Sequence, residues 1–184
     1  MVFKNPDKLT PEEFELTVKR WFEAAAGDWE SFDSQHRELV GGMDGEYEID
    51  VTIRFRAFKG ARFLVLAECK KLKNPVKREV VQILYDRLRS VGAHKGFIFA
   101  TTSFQRGAIE YAGNHGIALV QVANGSTAYI QASGARERLR IPPDAPPYVG
   151  WHWFMGPDGH ESFEIMNEQE SYHLREILGV TGAA

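Results

Sequence analysis

The stretch that decides the fold is EYEIDVTIRFRAFKGARFLVLAECK, residues 46–70. Its first half sets Ile49, Val51, Ile53 and Phe55 at alternate positions against Asp50, Thr52, Arg54 and Arg56, the period of a half-buried strand. Residues 62–70 alternate as well, with Phe63, Val65, Ala67 and Cys69 against Arg62, Leu64, Leu66, Glu68 and Lys70. Lys59-Gly60 is a turn signal between them. A three-residue loop centred on Lys59 pairs Val51 with Ala67, Ile53 with Val65 and Phe55 with Phe63. The same register sets Asp50 opposite Glu68, and a one-residue slip mismatches every apolar pair.

Two acids facing one another across a hairpin suit a particular chemistry. Directly paired residues have Cβ atoms roughly 5 Å apart, close enough for two carboxylates to share a divalent cation, and without one the like charges repel. Oxygen-only ligands favour a hard ion such as Mg²⁺ or Mn²⁺, which keeps several waters and also binds phosphate oxygens. Lys70, two residues beyond Glu68, points to the same side, where its ammonium orients a metal-bound water or stabilises charge on a scissile phosphate. This is the outline of a metal-dependent phosphodiesterase site. The competing reading is a solvated strand face with a cross-strand Lys/Glu pair.

At 184 residues, 43% hydrophobic and 26% charged, the chain has room for one sizeable core and an appended element. It contains no long apolar run, signal-peptide pattern, low-complexity segment or internal repeat, so a soluble cytoplasmic protein with no membrane partner is expected. Cys69 is the single cysteine, which rules out an internal disulfide and a Cys-based zinc site. The net charge of −3 hides an asymmetry: residues 1–140 carry 21 Lys/Arg against 18 Asp/Glu, whereas 141–184 carry one Arg against seven acids. Lys70, Lys71, Lys73, Lys77 and Arg78 form an acid-free basic run directly after Glu68, placed to contact a phosphate backbone.

The flanking elements follow from caps and periodicity. Thr10, Pro11 and Glu13 read as an N-cap, a first-turn proline and a capping-box acid. They open a helix with an apolar stripe of Phe14, Val18, Trp21, Phe22 and Ala25, closed by Gly27. Glu15 lies at the edge of that stripe. A second helix over 76–91 is expected to bury Val76, Val80, Ile83, Leu84, Leu88 and Val91, with Gly92 closing it. A strand over 95–101, a helix over 104–115 capped by Ser103, and a strand over 117–122 follow. Two successive crossover units over 61–122 imply a partly parallel sheet, and the hairpin adds an antiparallel part.

With these elements in order, the chain resembles the Mrr-type restriction endonuclease domain of the PD-(D/E)xK nuclease superfamily, over about residues 10–122. The resemblance rests on Glu13-Phe14-Glu15, Tyr47-Glu48-Ile49-Asp50-Val51, Glu68-Cys69-Lys70-Lys71, and the run from Gly96 through Thr101-Thr102-Ser103-Phe104 with Ala108, Ala112 and Ile117-Ala118-Leu119-Val120. It implies Asp50 and Glu68 as metal ligands, Lys70 as the catalytic lysine and Glu15 as an assisting acid from the first helix. Where the family has a glycine-rich loop before the aspartate, this chain has Gly41-Gly42-Met43-Asp44-Gly45-Glu46-Tyr47-Glu48, which leaves Asp44, Glu46 and Glu48 as decoy acids. Many relatives carry Gln where Glu68 stands. Some related nucleases are assisted by a helical glutamine and tyrosine, which makes Gln82, beside Tyr85, Arg78 and Arg89, a further candidate.

The expected architecture is α/β: a mixed central sheet flanked by helices, restriction-endonuclease-like, over residues 1–132, then a linker over 133–147 and a small hairpin-plus-helix extension over 148–184. Gly156-Pro157-Asp158-Gly159 reads as the extension's hairpin turn, and Asn167 as the cap of a short helix through Leu178. The tail's aromatics suit packing onto the core, or contact with a second copy or another protein. The expected activity is Mg²⁺-dependent hydrolysis of DNA, with Mn²⁺ substituting and Lys71, Lys73, Lys77, Arg78 and Gln82 contacting double-stranded DNA. A non-catalytic nucleic-acid-binding or assembly module with the same fold is the alternative. The six histidines show no metal-ligand spacing.

Overall fold

A computed structural model describes residues 6–27, 29–124, 147–167 and 172–180. After a 3-10 turn at Pro6–Lys8 come α1 (Pro11–Ala26), β1 (Glu30–Gly41), β2 (Glu46–Ala57), β3 (Ala61–Lys70), α2 (Arg78–Val91), β4 (Lys95–Ala100), α3 (Arg106–Asn114), β5 (Ala118–Asn124), β6 (Tyr148–Met155), β7 (Glu161–Asn167) and α4 (Tyr172–Ile177). The seven strands form one sheet in sequence order. The β3–β4 and β4–β5 pairs are parallel and the other four antiparallel, so the mixed α/β sheet expected from the sequence is present.

The central hairpin has the expected register, with Val51↔Ala67, Ile53↔Val65 and Phe55↔Phe63 as partners. Phe58 and Lys59 both take positive φ (49° and 62°) and the Gly60 N–H donates to the Ala57 carbonyl at 3.2 Å, the primed geometry that matches strand twist. Both sheet faces are covered. On one, α1 lays Phe14, Val18, Trp21 and Phe22 over Val51, Ile53, Val65, Phe97, Phe99 and Val120. On the other, Val81 and Leu84 of α2 and Ala108, Ile109 and Ala112 of α3 cover Leu66, Ile98 and Leu119.

Ile49 departs from the expected alternation. It joins Val40 in the core under α2, while Val51 belongs to the core under α1. Strict period-two alternation would put both on one face, so β2 changes face at Asp50. In register, the residue of β1 beside Asp50 is Arg37, whose φ is 50°, a left-handed conformation uncommon for a residue with a Cβ. The break turns the outer end of the β1–β2 hairpin onto α2, where the Met43 N–H donates to the Ser90 carbonyl at 2.9 Å.

Several other boundaries shift. Strand β1 has no counterpart in the sequence reading: its partly buried positions, such as Ser34, His36 and Glu38, are mostly polar and give no apolar period. Helix α2 starts at Arg78 rather than at residue 76 and buries Val81, while Ile83 is 56% exposed. Val76 is buried ahead of the helix, bridged to Phe104, with its N–H on the Ser103 carbonyl at 2.9 Å. That bridge holds 103–104 extended, so α3 begins at Arg106 with Gln105, not Ser103, as its N-cap.

The expected linker falls largely within 125–146, outside the described residues. The hairpin after it forms, closed by a turn in which the Gly156 N–H meets the His160 carbonyl at 2.8 Å, and β6 hydrogen-bonds along β5. Gly150 allows this close fit, since a Cβ there would lie 2.7 Å from Val120 and 2.9 Å from Trp21. Asn167 ends β7 instead of capping a helix, and α4 starts at Tyr172. Arg175 of α4 donates to the carbonyls of Ala25 (2.7 Å) and Ala26 (3.0 Å), satisfying the C-terminal end of α1, and Leu174 and Met166 enter the core beside it. No helix among the described residues is long and apolar enough to cross a membrane.

Candidate active site

The β2–β3 ladder ends at Val51↔Ala67, one step short of Asp50 and Glu68. At that step the Asp50 side chain replaces the backbone: its Oδ2 accepts the Cys69 N–H at 2.6 Å. The two strands part here, and Glu68 and Lys70 project from the end of β3 on the face that α2 covers. Lys70 Nζ donates to Glu68 Oε2 at 2.7 Å, and Arg87 of α2 donates to Oε1 at 2.5 Å. Glu68 is only 4% exposed, so this double pairing satisfies a carboxylate that burial alone would penalise.

Glu15 approaches from α1. It is 6% exposed, with its Oε2 bound to His36 Nε2 at 2.7 Å and to Arg37 Nε at 2.9 Å. The unusual backbone of Arg37 therefore has a local use: it brings this guanidinium to Glu15 beside Asp50. Burial raises the Asp50 pKa above the ordinary carboxylate value, and the charges of Glu68 and Glu15 push it further in the same direction; the Cys69 N–H and Lys70 act against them. Asp50, Glu68, Lys70 and Glu15, taken from three separate elements, thus share one electrostatic neighbourhood. Burial also raises the Cys69 thiol well above its usual range, and the nearby acids Asp50, Glu15 and Glu68 add to this, which fits an inert packed thiol.

The donor set can be tested against a metal. Among the described residues no three His, Cys, Asp or Glu side chains converge on one point. Two carboxylates remain, Asp50 and Glu68. Among the described residues Asp50 has a backbone N–H as partner and no ion-pair partner, and burial, followed by the nearby acids, raises its pKa. A hard dication that retains several waters fits such a sparse, oxygen-only pair.

The other predicted residues lie around this centre. Lys71 and Lys73 line an open groove with Leu72, Thr101 and Thr102 at the C-terminal ends of β3 and β4. The loop is fastened by the Thr101 N–H to the Lys70 carbonyl (3.1 Å) and by Thr102 Oγ1 to the Asn74 carbonyl (3.1 Å). Lys77 is the exposed N-cap of α2, and the Arg78 guanidinium lies over the Tyr111 ring at 4.9 Å. Gln82 is exposed on the strip of α2 that carries Tyr85, which meets Tyr111 and His115 of α3; Arg87 lies on a different strip of the helix. Of the decoy acids, Asp44 is bound by Tyr47 at 2.7 Å and by Ser90, bonds that lower its pKa, while Glu46 and Glu48 are exposed.

Sequence reasoning missed His36, Arg37 and Arg87. The first two sit on the unrecognised β1. Arg87 looked like any helical cation, because its partner is nineteen residues away in sequence.

Comparison with known proteins gives one family match, described as Mrr_cat, restriction endonuclease, over residues 6–124. Similar solved structures include a protein of unknown function, AF1548 (29% identity, TM-score 0.46, covering 59% of this chain and 55% of that one). The MspJI restriction endonuclease in complex with a 27-mer oligonucleotide is another (20% identity, TM-score 0.44, 62% of this chain and 26% of that one). A third is the DNA modification-dependent restriction endonuclease AspBHI (20% identity, TM-score 0.38, 74% of this chain and 40% of that one). The chain thus spans from about a quarter to just over half of these proteins' lengths. No curated protein matches it.

Proposed function

The chain belongs to the restriction endonuclease family matched over residues 6–124, and from that premise we propose that it is a Mg²⁺-dependent endonuclease that hydrolyses DNA phosphodiester bonds, with Mn²⁺ able to substitute. Asp50 and Glu68 are the residues that would hold the cation. When bound, such an ion supplies a water of lowered pKa and offsets charge on the phosphate. Lys70, anchored on Glu68, presents an ammonium to the attacking water or to the charge that grows on the phosphate oxygens. Glu15, fixed by His36 and Arg37, completes the acidic neighbourhood that makes Asp50 avid for a cation. Lys71, Lys73, Lys77, Arg78 and Gln82 are assigned to the DNA, with the groove beside Thr101 and Thr102 as the approach. Lys71 and Lys73 are placed for the phosphates nearest the cut.

The single observation that carries this reading is Asp50: a largely buried carboxylate, aligned by the Cys69 N–H, raised in pKa by burial and by neighbouring acids, and in no ion pair among the described residues. A second reading has one observation in its favour. Glu68 is already held by Lys70 and Arg87, which suits a non-catalytic module that keeps the fold and binds nucleic acid or a partner. Plasmid DNA incubated with Mg²⁺, Mn²⁺ or EDTA separates them. Cleavage that requires the dication and is lost in Asp50→Asn supports the nuclease; DNA retention with no cleavage in any condition supports the module.

A further inference from the structure

Helices α2 and α3 meet along a seam that the acidic site does not use. Arg78, Gln82, Tyr85 and Arg89 recur at helical spacing on the flank of α2 that faces α3, and Tyr111 and His115 occupy the facing flank of α3. Rings fill the seam: His115 stacks on Tyr111 with centroids 3.9 Å apart and planes 14° from parallel, and Tyr85 meets His115 edge-on at 4.4 Å. The His115 ring is fixed by its Nδ1 on the Tyr111 carbonyl at 2.8 Å. A guanidinium caps each end of this ring cluster, Arg78 over Tyr111 at 4.9 Å and Arg89 over Tyr85 at 5.9 Å. None of these six residues is acidic. Glu110 is bound by Arg106 on the flank of α3 turned toward Glu161, and Glu79 and Asp86 stand on the adjoining, solvent-facing strip of α2.

Both arginines are exposed, and among the described residues neither is in an ion pair. A guanidinium stacked on a ring uses its face and leaves its N–H edge free, and that edge matches phosphate oxygens in charge and fork geometry. The rings thus hold two such edges in place without an anion. Lys77, the N-cap of α2, directly precedes Arg78, so the seam continues from the loop that carries Lys71 and Lys73. Resting on the DNA-binding reading above, we propose that the α2–α3 seam is a track for the sugar–phosphate backbone of a DNA strand leaving that groove. Arg78 and Arg89 take its phosphates, and Gln82 with the Tyr85 and Tyr111 hydroxyls supplies neutral hydrogen bonds between them. The two arginines are separated by about 16 Å of helix axis, the span of some five nucleotide steps at roughly 3.4 Å each. The track adds Arg89, Tyr85 and Tyr111 to the interface and carries it away from Asp50 and Glu68.

Anisotropy titrations in EDTA, with a labelled DNA duplex and with its single strand, test this without any demand on cleavage. Arg89 is exposed, so its replacement costs the fold little. Arg89→Gln should weaken binding of at least one of the two DNAs about fivefold to tenfold. It should also lower the slope of log affinity against log salt by up to about one unit. Arg89→Lys keeps the charge and should restore most of the slope. Arg20→Gln removes the same charge from an exposed position of α1, on the other face of the sheet, and should change neither quantity. The DNA that loses affinity shows whether the seam holds a duplex or a single strand. Native affinity of Arg89→Gln for both DNAs, or an equal loss in Arg20→Gln, overturns the proposal and leaves the DNA-binding reading standing. A native protein that binds neither DNA overturns both. Binding that depends on Arg89 in a protein that cleaves nothing upholds the track and overturns the nuclease.

Discussion

Arg87 Nη1 meets Glu68 Oε1 at 2.5 Å, so a helix cation occupies one oxygen of the acid that Lys70 holds by the other. A bound dication has to share or displace that interaction. Arg87→Ala leaves a 4%-exposed carboxylate with one partner, which costs about 2 kcal/mol of stability. It also removes the competitor for the metal. The melting temperature without metal should therefore fall, and the rise produced by saturating Mn²⁺ should be larger in the variant than in the native protein. An equal rise in both proteins rejects the idea that Arg87 and metal contend for Glu68.

The metal assignment has its own test. If Asp50 and Glu68 hold one ion, Mn²⁺ or Mg²⁺ stabilises the native protein by mass action, about 2.7 kcal/mol at a hundredfold excess over Kd. Glu68→Ala should abolish the thermal shift. A shift of undiminished size in that variant means the ion binds elsewhere.

Lys70 separates chemistry from binding. Its ammonium is assigned to the water or the transition state, so Lys70→Ala should cut cleavage by orders of magnitude while filter-retained DNA stays nearly constant and the Mn²⁺ shift is kept or enlarged, since Glu68 loses a competing partner. Cleavage at the native rate refutes that role, and parallel loss of cleavage and DNA retention would make Lys70 a binding residue instead.

What the sequence disclosed and what it concealed have physical causes. The register of β2 with β3 is readable because apolar residues alternate on both strands and a slip would mismatch them, and this brings Asp50 near Glu68. The change of face at Asp50 is not readable: it depends on Arg37 adopting a left-handed backbone in a strand whose partly buried residues are mostly polar. The phase of α2 differs from the expected one by part of a turn, since Ile83 and Val81 are equally apolar and only packing against Leu66 and Ile98 selects Val81. The tail's hairpin is legible from its turn. Its place beside β5 is not, because strand pairing across residues 125–146 leaves no local signal.

The basic run predicts a salt effect. Lys73, Lys77 and Arg78 are exposed at the groove end of the molecule, and removing each cation that meets a phosphate should lower the slope of log affinity against log salt by up to about one unit. Gel-shift titrations of Lys73→Gln/Lys77→Gln/Arg78→Gln at several salt concentrations check this. Binding and slope equal to those of the native protein remove these residues from the interface. Truncation at residue 147 is a poor alternative, because it also deletes Val149, Met166 and Leu174 from the core.

His152 gives the fold a pH dependence that is independent of the acidic site. Burial, helped by the nearby charges of Lys95 and His173, lowers its pKa from 6.5 to about 4, and its Nδ1 is buried without a hydrogen-bond partner among the described residues. The native state therefore holds it neutral where the unfolded chain binds a proton. Between about pH 6.5 and pH 4 the unfolded state carries the extra proton, so stability is full above pH 6.5 and declines as pH falls through that window. A shift of this size is worth on the order of 3 kcal/mol. Urea melts of the native protein across that range should lose about this amount from this residue, and His152→Phe should flatten that part of the profile while keeping a ring beside Phe154 in place of the imidazole. An unchanged profile in the variant would show that His152 titrates normally in the folded protein.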